Sequence, residues 1–230
     1  CGTFFTAGIK TDGTLWLWGC NGSGQLGDTN VLTRNFPAKL GSDNDWISAS
    51  CGYEHIIALK KNGTIWGWGL NDSGQVGDGT FTNRSSPRQI VIDDDWEKIY
   101  CGVSNSFAIK TNGTLWAWGA NEYGQLGNNS YTKSNIPIQI GMDNDWNKVS
   151  CALSNTLAIK NDGSLWAWGN NSYGQLGDSS KKSKPYPVRI GTDNDWSQIS
   201  CHSYHSSAIK TDGTLWSWGY NQNKQLGDST

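Results

Sequence analysis

The side chains best suited to acid–base or metal chemistry are few and widely spaced. The chain contains three histidines, His55, His202 and His205. The last two are three residues apart, and on a β-strand that spacing directs side chains to opposite faces. A metal ion needs its ligands on one side. We therefore expect His202 and His205 to lie at the surface or in a turn and to bind no metal.

Four acidic segments of the form Asp-x-Asp invite comparison with calcium loops. They occupy residues 43–45, 93–95, 143–145 and 193–195. Each lacks the further ligands, the glycine and the glutamate of a calcium loop, so we expect turns whose carboxylates accept backbone hydrogen bonds. The Gly-Gln-Leu-Gly segments lack the Lys-Ser/Thr pair of a phosphate-binding loop. The sequence therefore predicts neither an enzyme nor a bound cofactor or metal.

Lysine and cysteine recur with a step of 50 residues. The lysines are Lys10, Lys60, Lys110, Lys160 and Lys210, and the cysteines are Cys1, Cys51, Cys101, Cys151 and Cys201, with Cys20 in addition. We expect each lysine to end a strand at the solvent. Equivalent residues of successive units lie too far apart for the ~5.5 Å Cα spacing of a disulfide. We therefore expect small, buried, free thiols, which favour a reducing compartment.

Composition argues against two classes of partner. The formal net charge is −2 and the calculated pI is about 5.9, so the chain has no basic field to hold nucleic acid. The apolar runs last only a few residues, far short of the ~20 that a membrane-spanning helix needs. We expect no nucleic-acid partner and no membrane insertion.

A Trp-x-Trp-Gly motif appears five times at the same 50-residue step. It begins at Trp16, Trp66, Trp116, Trp166 and Trp216. Trp46, Trp96, Trp146 and Trp196 complete the 14 tryptophans of the chain. A fixed period of this size indicates one supersecondary unit repeated as an array. We interpret the tryptophans as packing residues, each of which needs an acceptor for its N–H, rather than as a carbohydrate-binding set.

Residues 151–200 show what one unit contains. Thr156–Lys160 and Leu165–Gly169 flank an Asp-Gly pair, which is a strong β-hairpin signal. Pro187–Ile190 and Trp196–Ser200 indicate a third and a fourth strand. Four short strands per unit predict an all-β fold, a β-propeller of four-stranded blades, whereas β-solenoid coils are shorter and lack such hairpins. We expect one array over residues 1–230, with blades at 1–50, 51–100, 101–150, 151–200 and an incomplete 201–230.

The repeat resembles that of the regulator of chromosome condensation family. That family's repeat joins a glycine-x-x-histidine strand, an Asp-Gly turn, a Trp-x-Trp-Gly strand and an Asn-x-x-Gly-Gln-Leu-Gly corner. Gly52 and His55 match the first part, while Val76 and Lys224 depart from the corner pattern. The resemblance implies a seven-bladed ring, of which this chain would form 4.6 blades (230/50). We expect closure by missing blades of a longer protein or, alternatively, by other chains.

The positions that differ between repeats point to a binding role. They are repeat positions 2–6, 20, 22–23 and 29–36. Equivalent propeller loops crowd one face, and aromatic anchors among polar residues are typical of protein-binding surfaces. The sequence thus predicts a non-catalytic protein-binding scaffold, although neutral variation in loops would give the same pattern. The contact candidates are Phe4, Phe5, Tyr53, His55, Tyr123, Tyr173, Tyr204 and Tyr220.

Two further functions stay open as hypotheses. The founding member of the family implies guanine nucleotide exchange on a small Ran-like GTPase through an inserted hairpin wedge. No complete repeat of this chain contains an insertion, since every landmark keeps its 50-residue step. Glycan or small-ligand binding at the propeller mouth is the other hypothesis, with Tyr173 and Tyr220 as the residues to test. The family's propeller-type β-lactamase inhibitors, which bind a protein through one face, agree with the scaffold role.

Overall fold

The chain forms β-structure throughout the computed structural model, which describes residues 1–29 and 31–227. The strands of these ranges are, in chain order, β1 (Phe5–Ile9), β2 (Leu15–Cys20), β3 (Thr33–Lys39), β4 (Trp46–Cys51), β5 (His55–Lys60), β6 (Ile65–Gly69), β7 (Arg84–Gln89), β8 (Trp96–Cys101), β9 (Asn105–Lys110), β10 (Leu115–Gly119), β11 (Ser134–Gln139), β12 (Trp146–Cys151), β13 (Asn155–Lys160), β14 (Leu165–Gly169), β15 (Lys184–Ile190), β16 (Trp196–Cys201), β17 (His205–Lys210) and β18 (Leu215–Gly219). Within these ranges no helix has the length and apolar character needed to cross a bilayer. Residue 30 of the predicted variable loop and residues 228–230 of the predicted last blade lie outside the described residues.

The strands form five antiparallel sheets. The first is β1-β2-β3, the second β4-β5-β6-β7, the third β8-β9-β10-β11, the fourth β12-β13-β14-β15 and the fifth β16-β17-β18. Strands that are neighbours in sequence are therefore neighbours in each sheet. Four short strands in meander order, repeated every 50 residues, are the blades of a β-propeller. The predicted fold class is confirmed.

The second to fifth sheets each begin one strand earlier than the predicted blade. The predicted boundary after residue 100 groups β8 with β5–β7, but β8 pairs with β9. A three-residue turn joins β8 to β9, and in it Gly102 N donates to Asn105 O at 2.9 Å. So short a turn keeps its two strands side by side. The sheets thus group the strands differently from the repeats predicted at 1–50, 51–100, 101–150, 151–200 and 201–230.

The third strand of the fourth sheet also starts earlier than predicted. β15 begins at Lys184 rather than at Pro187. The pairing of β14 with β15 shifts register between Ala167 and Gly169. An edge strand with such an irregularity tolerates prolines, because its outward N–H groups are not needed for pairing.

The predicted hairpin turns form between the second and third strands of the second to fifth sheets, and between β1 and β2 in the first. In the turn between β5 and β6, Asn62 Oδ1 accepts a hydrogen bond from Thr64 N at 3.2 Å. Gly63 has a φ of +79°, which side chains rarely adopt. A Cβ atom at Gly63 would also overlap the carbonyl oxygen of Asp94. Both observations explain why glycine occupies this turn.

The Asn-x-x-Gly-Gln-Leu-Gly corner is held by its first residue. Asn121 Oδ1 accepts from Leu126 N at 2.9 Å, and its amide nitrogen donates to the carbonyls of Ser130 and Thr132. The corner also accepts a hydrogen bond from the next Trp-x-Trp-Gly motif. The second tryptophan of that motif, Trp168, donates from Nε1 to Gln125 O at 2.8 Å. Trp168 is fully buried. The interpretation of this tryptophan as a packing residue is confirmed.

The chain divides into two compact units, each with its own apolar interior. The first comprises Cys1–Thr111, Trp116–Ala120 and Lys133–Ile138, and the second comprises Asn112–Leu115, Asn121–Thr132 and Gln139–Thr230. One cluster of the first unit contains Phe5, Leu17 and Trp68. The second unit packs Leu157, Leu165 and Ile190 together.

Candidate functional site

Each sheet has two ends with different chemistry. In the second sheet, one end carries the turn at residues 52–54 and the corner at 70–77, and we call it the variable end. The opposite end carries the turn at 61–64 and the acidic segment at 43–45, and we call it the lysine end. These names also apply to the equivalent residues of the other sheets. Antiparallel pairing places the connections alternately at the two ends.

The lysine end holds its charges in internal ion pairs. Lys160 Nζ lies 2.7 Å from Asp143 Oδ2 and 3.0 Å from Asp145 Oδ1, and the lysine side chain is 8 % exposed. The same Nζ lies 4.8 Å from the ring centroid of Trp146 and 4.6 Å from that of Trp166. Burial disfavours the charge, but the two carboxylates outweigh it and raise the pKa of Lys160.

This geometry corrects two sequence predictions. Lys60, Lys110 and Lys210 each pair with the two equivalent carboxylates of another acidic segment, so these lysines do not end at the solvent. The carboxylates of the acidic segments form ion pairs with these lysines. The sequence had predicted that they would accept hydrogen bonds from backbone N–H groups. Lys10 differs, because it is exposed and its Nζ lies 3.9 Å from the Trp16 ring centroid. The described residues contain no group of three or more potential metal ligands.

Burial raises the thiol pKa of three of the cysteines, Cys51, Cys101 and Cys201. All six are free; Cys1 is exposed, in contrast to the prediction of a buried thiol, because it lies outside the strands. Cys51, Cys101, Cys151 and Cys201 each end a strand and are half-buried. Burial raises the pKa of the Cys101 and Cys201 thiols to about 12. Both are therefore protonated and unreactive at neutral pH.

Two of the predicted contact residues are buried and cannot touch a partner. Phe5 is 3 % exposed and His55 is 0 % exposed. Both are the first residue of their strand, where the side chain points into the packed interior. His55 Nε2 lies 3.0 Å from Ser106 Oγ, and burial lowers the pKa of His55 to about 4. We therefore remove Phe5 and His55 from the candidate surface.

The other predicted contact residues do reach the solvent. Phe4 is 55 % exposed, and Tyr53 lies beside it in the first unit, with a ring-centroid distance of 6.0 Å and an interplanar angle of 74°. Tyr123, Tyr173 and Tyr204 are each between 45 % and 47 % exposed. Tyr220 is half-buried. All of them lie at the variable ends of their sheets.

Where the corner of one sheet meets the turn of the next sheet, the contacting side chains differ between the two units. In the first unit, Ser23 Oγ donates to Glu54 Oε2 at 2.7 Å. The residues at the same repeat positions in the second unit are Tyr173 and Tyr204, whose ring centroids are 5.2 Å apart. The repeated backbone thus holds both pairs at contact distance, while the sequence determines whether the contact is polar or aromatic.

The tyrosine cluster, which we define as Tyr173, Tyr204 and Tyr220, lines an open cleft. The Tyr220 ring centroid lies 5.0 Å from that of Tyr173 and 6.2 Å from that of Tyr204. The cleft has a volume of about 540 Å³. His202 and His205 also line it.

The histidine pair contradicts the prediction of opposite faces. The rings of His202 and His205 stack with centroids 4.6 Å apart and an interplanar angle of 9°. The reason is that β16 ends at Cys201, so residues 202–204 form a turn in which His202 N donates to His205 O at 3.0 Å. Strand alternation does not apply across a turn. Burial, together with the neighbouring His202, lowers the pKa of His205.

Five lining residues of this cleft were not among the predicted contacts. They are His202, Ser203, His205, Asn223 and Gln225. The sequence contains part of the information needed to find them. In four of the sheets the first strand begins at a tryptophan and ends at a cysteine five residues later, as at Trp46 and Cys51. Ending the strand at Cys201 would have placed residues 202–204 in a turn beside the corner at 221–227.

Comparison with known proteins agrees with this architecture. A family profile described as RCC1-like domain matches residues 1–230. A search of curated proteins found no match. Human WBSCR16 superposes with a TM-score of 0.86 and 24 % sequence identity, over 96 % of this chain and 61 % of that protein. The chain thus spans less than two thirds of the length of WBSCR16.

Two yeast structures are also similar in fold. Prp20p from Saccharomyces cerevisiae, characterised with its binding properties to Gsp1p and histones, gives a TM-score of 0.78 at 18 % identity. That match covers 100 % of this chain and 73 % of Prp20p. Yeast RCC1 (Prp20) bound to Kap60 gives a TM-score of 0.77 at 18 % identity, over 98 % of this chain and 70 % of the other. The profile covers every residue of the sequence, and the chain belongs to the RCC1-like domain family of β-propellers.

Proposed function

We propose that this chain is a non-catalytic scaffold that binds a protein partner through the variable ends of its sheets. The contrast between the two ends supports the proposal. At the lysine end, the cations of four repeats are neutralised by paired carboxylates. At the variable end, Phe4, Tyr53 and Tyr204 are each at least 40 % exposed on short, well-anchored turns. Rigid aromatic side chains lose little conformational entropy on binding and are enriched at protein interfaces.

The exposed aromatic residues of the variable ends are the observation on which the proposal depends. Prp20p has been studied for binding to Gsp1p and histones, which are proteins, and this agrees with a protein partner here. An identity of 18 % transfers the fold and not the partner.

A pair of matched variants tests the proposal. One variant carries Phe4→Ala, Tyr53→Ala and Tyr123→Ala at the variable end. The control carries Ile92→Ala and Met142→Ala, which replace exposed apolar residues of the lysine end (94 % and 92 % exposed). Proteins captured by the wild-type chain are identified by mass spectrometry, and each is then purified and titrated calorimetrically. We expect the first variant to lose at least about tenfold in affinity, as for hot-spot residues, and the control to match wild type. Equal affinity of all three proteins would refute the proposal.

Nucleotide exchange is the alternative, and a release assay separates it. The chain is added to a Gsp1p-type GTPase loaded with fluorescent GDP. We expect no acceleration, because the described repeats keep their 50-residue step and contain no inserted wedge. Acceleration by about tenfold or more, at catalytic concentrations of the chain, would replace the scaffold proposal with exchange activity.

A further inference from the structure

We propose that the cleft beside the tyrosine cluster binds a neutral saccharide ring. This inference goes beyond protein binding and does not depend on it, because it concerns one cleft of the second unit. The cleft volume of about 540 Å³ falls within the usual range for small-ligand sites, roughly 300–1,000 Å³.

The three tyrosine rings form a corner rather than a flat surface. Tyr173 makes interplanar angles of 70° with Tyr204 and 76° with Tyr220, and the latter two are inclined at 61°. Aromatic faces are electron-rich and attract weakly positive C–H groups. A sugar ring presents C–H groups on its faces and hydroxyl groups around its rim. The face of one tyrosine can therefore cover the C–H face of the sugar ring. The edges and hydroxyl groups of the neighbouring tyrosines then lie next to the hydroxyl groups of the sugar.

Four further lining residues offer hydrogen bonds without formal charge. Ser203, Asn223 and Gln225 provide a hydroxyl and two amides. Asn223 N donates to Gln225 Oε1 at 3.0 Å, which fixes the orientation of that amide. His205 has a lowered pKa and is therefore neutral at pH 7, so its ring supplies one donor and one acceptor. Mixed donors and acceptors suit hydroxyl groups, which both donate and accept.

The charge of the lining discriminates against other ligands. None of the cleft-lining residues that the structure describes is Asp, Glu, Lys or Arg. Among these described residues, a phosphate or an acidic sugar would find no lysine or arginine, and a cationic ligand would find no carboxylate. A proline-rich peptide needs an extended groove between aromatic ridges. The rings here are steeply inclined to one another and enclose a compact corner, so a single sugar ring fits better.

The experiment uses the chain as it is, with a panel of neutral and acidic oligosaccharides and a proline-rich peptide as probes. Fluorescently labelled protein is screened on the panel, and each hit is measured by saturation-transfer NMR and calorimetry. We expect neutral glycans to bind. Their affinity should change less than about twofold between about 0.05 and 0.5 M NaCl, because no ion pair contributes.

Matched tyrosine variants localise the binding. Tyr204→Ala should weaken glycan binding by about tenfold or more, since it removes one of the three mutually contacting rings. Tyr220→Phe keeps the ring and should have a smaller effect. Tyr123→Ala is the control, because Tyr123 shares the repeat position of Tyr173 and is 47 % exposed but lies outside the cluster. Thermal unfolding of each variant confirms that the fold is retained.

Four outcomes would overturn the inference. They are the absence of any neutral-glycan binding, preferential binding of acidic glycans, preferential binding of the proline-rich peptide, and equal glycan affinity of wild type and a folded Tyr204→Ala variant. The glycan result is independent of the protein-binding proposal, because the variant set used to test that proposal leaves the tyrosine cluster intact.

Discussion

At the scale of single residues, repeat position 5 shows how one backbone site accepts different side chains. Phe5, His55, Asn105 and Asn155 are all buried there, although one is aromatic, one titratable and two are amides. In these four repeats the position is surrounded by packed strands, so its side chain is removed from water, whereas His205 at the same position of the last repeat is half-buried. A titratable residue at such a position loses hydration of its charged form.

His55 makes stability depend on pH. Burial lowers its pKa from 6.5 to about 4, so the folded state binds fewer protons than the unfolded state between these values. The free energy of unfolding should be highest above pH 6.5 and fall as the pH decreases toward 4, by up to about 3 kcal/mol from this residue. Urea unfolding followed by tryptophan fluorescence across this pH range measures the effect.

His55→Asn provides the control, because asparagine occupies the same repeat position at Asn105 and Asn155. The variant should lose most of the decline in stability between pH 6.5 and 4. An unchanged pH dependence in this variant would show that other groups cause the decline.

The thiols should react in the order of their exposure. Cys1 is exposed, whereas burial raises the pKa of Cys101 and Cys201 to about 12 and leaves almost no thiolate at neutral pH. We expect iodoacetamide to label Cys1 at least about tenfold faster than Cys101 or Cys201 in the native protein. Peptide mass spectrometry measures the rates, and labelling in denaturant should make them equal. Native rates equal to the denatured ones would contradict the burial of these thiols.

At the scale of elements, short turns determine where the functional side chains lie. The hairpin turns at the lysine end pack against the acidic segments, and the turns at 52–54 and equivalents present the variable residues. Each turn is held by backbone hydrogen bonds, such as Gly52 N to His55 O at 2.8 Å. Substitutions between these anchors therefore change the surface without changing the sheet.

A pair of glycine substitutions separates packing from backbone strain. Gly63 and Gly213 have similar φ values, +79° and +86°, in equivalent hairpin turns. A Cβ at Gly63 would overlap the backbone of Asp94, whereas one at Gly213 has nothing within 4 Å. Gly213→Ala should cost about 1 kcal/mol through its positive φ, and Gly63→Ala about 1–3 kcal/mol more through overlap. Chemical denaturation measures both. Equal costs would indicate that the turn relaxes freely away from Asp94.

At the scale of the whole molecule, equivalent residues are not equally important to stability. Trp168 and Trp218 occupy the same repeat position and donate to the carbonyls of Gln125 and Gln175 at 2.8 and 2.9 Å. Trp168 is fully buried and Trp218 is half-buried. In a repeat array the contribution of a unit depends on its neighbours.

The two tryptophans should therefore differ on substitution. Trp168→Ala should lower the free energy of unfolding by about 3–5 kcal/mol, as expected for a buried aromatic residue. Trp218→Ala should cost less than half as much, because part of its surface is already solvated. Equilibrium unfolding of the two variants under the same conditions provides the comparison. Equal losses would show that the hydrogen bond, and not burial, dominates at this position.

The repeat pattern made much of the fold predictable. Hairpin glycines, alternating strands and a constant step are local signals, and each follows from backbone preferences of a few residues. The errors occurred where long-range contacts decide. The lysines were predicted to be exposed, yet Lys160 pairs with Asp143. These two residues are 17 positions apart, and no local sequence pattern indicates their contact. Phe5 and His55 were predicted to contact a partner. Their exposure depends on neighbouring strands, and no local pattern shows that those strands bury them.

The sequence by itself determined the all-β class, the four-stranded unit and the position of the variable segments, because each depends on short-range geometry repeated without change. Only the tertiary structure decided which variable residues face water and which of them meet. Tyr173, Tyr204 and Tyr220 come from three separate segments, and they form one cluster because adjacent sheets pack their corner against their neighbour's turn. Packing between sheets depends on the sum of many weak contacts, which no single motif encodes.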